Sequence, residues 1–341
     1  VIKKHFLSIC FLALCSFAAC TKSGSSPAPI ISKTNADTDV YLSGFTGADT
    51  NNVATYWKNG VATKLTSAAY SLANAIIKNG PDIYIAGSTA AYYSSTKSKA
   101  VYWKNGVVTA LTDGTTNGFA ADIAVSGPDV YLAGEIDKKA VYWKNGIPTI
   151  LTDNTAVAAA TGIFVSGTDV YVCGNVYKNN SLVPVYWKNG ILTQLNNGTG
   201  YSAASAIVVQ NNSVFVAYYN LLVLSGPLAS YYWRDGVSNA LYGGLYASST
   251  NKILVNGSDV YVTGVAKTSP NNQYIEAYWK NGALQTLSSY SSVGGTGGIA
   301  VIGTDVYVTG YANGHAVYWK NGTVVNIGVN AGLTGIVVIP N

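Results

Sequence analysis

All seven tryptophans of this chain fall in one five-residue motif, Tyr-Trp-Lys-Asn-Gly, varied only to Tyr-Trp-Arg-Asp-Gly at Trp233. They stand at Trp57, Trp103, Trp143, Trp187, Trp233, Trp279 and Trp319, with spacings of 46, 40, 44, 46, 46 and 40 residues. A period of this length marks a repeat architecture, in which one unit cannot bury its apolar face without its neighbours. Each unit divides into four short runs. An apolar run such as Ile123-Ala124-Val125 leads through a tight turn into a second of the type Asp-Val-Tyr-Val-x-Gly. A variable segment precedes the third run, which ends in Tyr-Trp; Asn-Gly, the preferred type I′ pair, then turns the chain into a fourth. Adjacent Tyr and Trp point to opposite faces of a strand, so a sheet bearing both is covered on both sides. Blades packed radially against one another do this and an open sandwich does not. The pattern predicts an all-β, seven-bladed β-propeller with four antiparallel strands per blade, its Tyr-Trp pairs serving as core. The first recognisable run, Asp39 to Leu42, is of the second type, and the last, Gly335 to Ile339, is of the first. Seven of each type result only if the last strand completes the first blade.

Composition removes several classes. Hydrophobic residues make up 48% and charged residues 10% of the chain, against about 25% charged in an average domain, which excludes disorder. Four Cys cannot form a disulfide framework at this length. A net charge of +5 over 341 residues is no nucleic-acid signature. The motif cations Lys58, Lys104, Lys144, Lys188, Arg234, Lys280 and Lys320 should stand about 15 Å apart, beyond the roughly 8 Å Debye length. They are expected to solubilise the outer strands and not to form one patch.

Residues 1–19 carry Lys3 and Lys4, an apolar run from Phe6 and a small-residue exit, the three zones of a signal peptide. The end Phe17-Ala18-Ala19-Cys20 resembles the lipobox of bacterial lipoproteins, which implies that Cys20 carries the lipid. Residues 20–36, rich in Ser, Pro and Thr, read as a flexible tether, and 37–341 as the propeller. With these features the chain resembles propeller-bearing surface lipoproteins of Gram-negative bacteria. The resemblance implies a lipid-anchored cell-envelope protein of the outer membrane. The WD40 and kelch signatures are absent, so no characterised propeller family lends site residues.

In a four-stranded blade, the loops between strands two and three share a face with those leading to the next blade. That face holds the long variable stretches, among them Phe45 to Val53, Ser88 to Lys99, Asn175 to Pro184, Tyr219 to Ser230 and Val265 to Glu276. The opposite face has only tight turns. Thirteen of the 26 Tyr lie outside the repeated positions and map to the long-loop side. Tyr suits protein or sugar recognition, because it joins apolar area to a hydrogen-bonding tip. The candidate ligand-binding residues are therefore Tyr70, Phe119, Tyr201, Tyr246 and Tyr290, with Asp122 and Lys252 as the charged members of the inner ring. Asp122 and Lys252 could grip a polar ligand as a pair; the reading favours separately solvated charges. In blade five Tyr218 replaces the glycine of the second strand, and the apolar run Leu221 to Leu224 follows, either as a contact surface or folded over its own blade.

Catalytic material is scarce: beyond residues 1–20 there are one His, His315, one further Cys, Cys173, and two Glu, Glu135 and Glu276. Asp122 with Glu135 or Asp137 is the nearest approach to a carboxylate pair, and no residue cluster suggests a metal or cofactor. The expectation is a monomeric, membrane-anchored, non-catalytic scaffold that binds a glycan or a protein. The alternatives are a propeller enzyme acting on polysaccharide and a purely structural envelope protein.

Overall fold

The computed structural model describes residues 38–47, 51–68, 70–89, 97–152, 157–196, 201–221, 228–243, 245–269, 273–287 and 295–341. The signal peptide, Cys20, the tether, Tyr290 and Leu222 to Leu224 lie outside them. Among the described residues, twenty-eight strands form seven four-stranded antiparallel sheets. Six blades use consecutive strands, and the first has the order β28 (Ala331–Pro340), β1 (Thr38–Thr46), β2 (Val53–Lys58), β3 (Val61–Lys64). The C-terminal strand is thus the innermost strand of blade one, paired along β1 from Thr38↔Pro340 to Thr46↔Ala331. Six of the motif tryptophans are 0–2% exposed, and Trp233 is 7% exposed. They fill the seams between blades, whereas the motif Tyr beside each is half-buried in six blades and buried only at Tyr318.

Every blade but the fifth locks its middle hairpin in the same way. The Asp that opens the second strand accepts the Asn side-chain amide of the Asn-Gly turn, at 2.7 to 2.8 Å, and the motif Lys, at 2.7 to 2.9 Å. The Asn side-chain oxygen accepts the backbone N–H of the residue after that Asp. The same Lys lies over the strand-two Tyr ring, as Lys58 does over Tyr41 at 5.3 Å. The lysines, expected to solubilise the outer strands, stay partly exposed but are also paired, because antiparallel register brings each to an Asp near the far end of its hairpin. Blade five changes all four positions together, to Ser213, Phe215, Arg234 and Asp235. Asp235 now accepts the Val214 N–H at 2.9 Å, and Arg234 covers the Phe215 ring at 5.1 Å.

These contacts give stability a modest pH dependence, because the groups are largely exposed and screened by solvent. Asp82, Asp129, Asp169, Asp259 and Asp305 are held below the ordinary carboxylate pKa, first by Lys and then by Asn; for Asp39 the order is Asn59, then Lys58. The Asp partners push Lys104 and Lys144 up to about 12. Depressed carboxyls stabilise the fold above their unfolded pKa, and this is lost as pH falls through the folded values. Raised lysines stabilise it below their unfolded pKa, and this is lost as pH rises through about 12. The melting temperature should hold a plateau through neutral pH and fall below about pH 4. Replacing the Asp of blades two, three and four with Asn should flatten that acid limb.

The four-residue outermost strands of blades one to three are exposed along their whole length. Apolar residues such as Val61, Val107 and Ile147 stand there in the open. Shortness is what protects this edge from pairing with another chain.

Candidate functional site

Inner strands carry a β-bulge at one level in six blades, at Ser43/Gly44 on the β1–β28 pair and at Ala73/Ala75, Ala120/Asp122, Ala160/Gly162, Ala204/Ala206 and Thr250/Ile253. A bulge leaves a residue unpaired and re-aims its side chain. Here those residues fasten one blade to the next. Thr334 Oγ1 donates to the Ala73 carbonyl at 2.6 Å, Asn74 to that of Ala120 at 2.8 Å, and Thr161 to that of Ala204 at 3.0 Å. Ser205 and Thr250 share a hydroxyl bond at 2.9 Å, and Asn251 donates to the Thr296 carbonyl. In blade three the bulged residue is Ala121, which has no donor, and Asp122 takes over by accepting the Ile163 N–H at 3.1 Å.

Blade six omits two residues from pairing, Asn251 and Lys252, where the other bulges with this strand order omit one. The larger bulge lets the Lys252 ammonium cross the ring to Asp122 at 3.0 Å. The expectation of separately solvated charges is overturned: the two side chains are 24% and 16% exposed and form one ion pair. The carboxylates considered as a pair from sequence each have other partners or a turn to form. Asp122 is committed to Lys252 and Ile163, Glu135 accepts the Lys138 N–H at 2.9 Å, and Asp137 forms a turn with φ of 49°. Burial pushes the Cys173 thiol up to about 12, which leaves it protonated and unreactive at neutral pH. His315 opens a strand after the Asn313-Gly314 turn, with Nδ1 2.8 Å from the Asn313 carbonyl. Among the described residues no group of three or more His, Cys, Asp or Glu could hold a metal ion. Glu276 is 0% exposed on β22 (Ile275–Lys280), where a Cβ added to Gly310 of blade seven would meet its Oε2 at 3.2 Å.

One of the long stretches is shorter than its sequence implied. The stretch Asn175 to Pro184 is a hairpin: β13 (Asp169–Lys178) and β14 (Ser181–Lys188) join through Asn179-Asn180 alone. Blade three likewise turns on Asp137-Lys138. The non-repeat tyrosines divide. Tyr218, Tyr219 and Tyr311 are buried in the fold. Tyr218 takes the glycine's place in blade five by stacking on Tyr231, with centroids 5.2 Å apart, and donating to Ser238. Tyr242, 71% exposed, docks outward on blade six, its N–H on the Gly282 carbonyl and its own carbonyl on Trp279 Nε1. Tyr70 lies in the connection from blade one to blade two with φ of 59°. Phe119 is half-buried at the start of β8 (Gly118–Ser126), with its carbonyl against Gly134, where an added Cβ would stand at 1.9 Å.

Among the described residues, two groups remain open at that face. Tyr201, at the start of β16 (Tyr201–Gln210), is half-buried beside Tyr177; burial first and the Tyr177 hydroxyl second raise its pKa. Tyr177 in turn donates to Asn180 at 3.1 Å. Tyr246, 40% exposed, lies with Tyr274 around Lys267, whose Nζ is 6.0 Å and 5.6 Å from the two ring centroids. Of the sequence candidates, the structure joins Asp122 to Lys252 and leaves Tyr70, Phe119, Tyr201 and Tyr246 at separate places on the ring. Lys267 and Tyr274 lie in the stretch Val265 to Glu276 singled out from sequence but were not among the candidate residues; their signal was a lysine at the end of a second strand facing a tyrosine just before a third.

No protein-family model matches the chain, and no curated protein matches its sequence significantly. Among solved structures, TolB from Acinetobacter baumannii aligns with a TM-score of 0.51 at 9% identity, over 86% of this chain and 83% of that one. A structure assigned to TolB from Agrobacterium tumefaciens gives 0.44 at 12% identity, over 74% and 88%. Likeness at such identities concerns architecture alone. The molecule is a seven-bladed β-propeller with TolB-like structural neighbours.

Proposed function

We propose that this chain is a membrane-anchored, non-catalytic β-propeller scaffold that holds a glycan or protein ligand on its long-loop face. The observation that carries the reading is how the two faces use their polar and aromatic groups. On the tight-turn side, each motif lysine is closed by an Asp and a ring of its own blade. On the other side Tyr201, Tyr246, Lys267 and Tyr274 remain partly open to solvent. Aromatic rings on a rigid scaffold are the usual anchors of recognition. The acids that a polysaccharide-cleaving enzyme would need are engaged in ion pairs and turns, which weighs against that alternative.

The anchor rests on the lipobox-like Ala18-Ala19-Cys20 and on the tether behind it. Stable attachment needs more than one acyl chain, as a lipidated N-terminal Cys supplies. Cys20→Ser should abolish labelling by a fatty-acid analogue and move the protein into soluble fractions; unchanged membrane association would contradict the anchor. The binding role is tested by presenting the propeller to a glycan array and to envelope extracts. Saturable retention, competed by free ligand, is the expected result. Retention by neither would favour a purely structural envelope protein.

A further inference from the structure

The propeller contains six examples of how it treats a lysine over a tyrosine ring. Lys58, Lys104, Lys144, Lys188, Lys280 and Lys320 each lie 5.2 to 5.4 Å from a ring centroid, and each also binds an Asp carboxylate. Lys267 departs from this pattern. It has two rings, Tyr246 and Tyr274, and among the described residues it forms no ion pair. No carboxylate of its own blade is available to it. Between Leu241 and Gly298 the sequence holds only Asp259 and Glu276; Asp259 binds Lys280 at 2.7 Å, and Glu276 is wholly buried.

The three side chains come from adjacent strands of one sheet. Tyr246 immediately precedes β20 (Ala247–Asn256), Lys267 ends β21 (Asp259–Lys267), and Tyr274 immediately precedes β22. Backbone pairing fixes their order: the Tyr246 N–H donates to the Lys267 carbonyl at 2.6 Å, and Ala266 pairs with Ile275. Strand spacing of about 4.8 Å sets the rings on either side of the ammonium, at the long-loop end of blade six. An ammonium set against aromatic faces has N–H donors left over that suit an oxyanion.

We infer that Tyr246, Lys267 and Tyr274 form a subsite for an acidic saccharide, with the carboxylate of a uronate-type sugar on Lys267 and its C–H face against a tyrosine ring. This rests on the reading of the long-loop face as the binding surface. An acidic peptide could supply the carboxylate but offers no flat apolar ring to cover the tyrosines, so the saccharide fits both parts of the site.

The test is calorimetric titration of the full chain with an oligogalacturonate, a neutral oligosaccharide of the same length, and polyglutamate. The uronate should bind at least tenfold more tightly than the neutral sugar, and polyglutamate should not displace it. Lys267→Gln should weaken uronate binding at least tenfold and remove its salt dependence. Lys267→Arg should retain most of the affinity, and Tyr246→Ala and Tyr274→Ala should each weaken it. Melting curves establish that every variant is folded. No uronate binding, equal binding of the neutral sugar, displacement by polyglutamate, or indifference to Lys267→Gln would each overturn the inference. If uronate affinity depends on Tyr201 and not on Lys267, only the subsite is wrong. If it is lost on replacing Lys58, Lys104 and Lys144 instead, the choice of face is wrong as well.

Discussion

Removal of Ala331 to Asn341 should abolish the cooperative melting transition near the temperature of the intact protein. These residues are the innermost strand of blade one and supply Leu333, Ile336 and Val338 to a cluster with Val40, Leu42, Trp57 and Tyr307. Burying three such side chains contributes roughly 5 to 9 kcal/mol at about 1.5 to 3 each. That is comparable with the whole net stability of a domain, about 5 to 15 kcal/mol. The deletion also bares the hydrogen-bonding edge of β1 and opens the seams to blade two, where Thr334 binds Ala73 and Gly335 packs on Ile76, and to blade seven, whose Ala300 and Tyr307 share the same cluster. Supplying the missing strand as a peptide should restore part of the transition. A truncated chain that melts where the intact one does would show that β28 is not what closes the ring.

The second large effect is expected at the Asp122–Lys252 bridge between blades three and six. Asp122→Ala strips Lys252 of its partner and leaves the Ile163 N–H without its acceptor. Breaking a buried pair costs about 3 to 5 kcal/mol; with side chains 24% and 16% exposed, about 2 to 3 kcal/mol is expected here after allowing for solvent screening. Asp122→Asn should cost less, since an amide oxygen can still accept the Ile163 N–H. Combining it with Lys252→Met should recover much of the loss, because no charge is then left alone. Urea unfolding of the intact protein, Asp122→Asn, Lys252→Met and the double variant gives the coupling energy, for which about 1 to 2 kcal/mol is expected. A coupling near zero would mean that the two charges are solvated separately.

The architecture was readable because its strongest signal repeats. Seven tryptophans, seven turn pairs and two-sided aromatic strands admit little besides a propeller, and the position of the first and last runs implied the closing strand. The Asp–Lys–Asn lock was not read, although the sequence held its trace. Blade five changes Asp to Ser, Tyr to Phe, Lys to Arg and Asn to Asp at once, as a contact set would. The Asp122–Lys252 bridge was out of reach. Its partners are 130 residues apart, and it depends on how many residues a bulge leaves unpaired, a local choice that apolar periodicity does not encode. Tyrosines misled where loop lengths were misjudged. Tyr177 stands on an extended hairpin and Tyr218 fills its own blade, whereas Lys267 drew no attention because its two rings become neighbours only when three strands are paired.

The most direct test of the account is calorimetry on two triple variants with any ligand retained by the array. One variant replaces Tyr201, Tyr246 and Tyr274 with Ala on the long-loop face; the other replaces Lys58, Lys104 and Lys144 with Ala on the tight-turn face. The tyrosine variant should lose at least tenfold in affinity, about 1.4 kcal/mol, with its melting temperature showing that it remains folded. The lysine variant should keep its affinity and lose only a little stability, as half-exposed ion pairs contribute little. Retained binding in the first and lost binding in the second would contradict the assignment of the binding face.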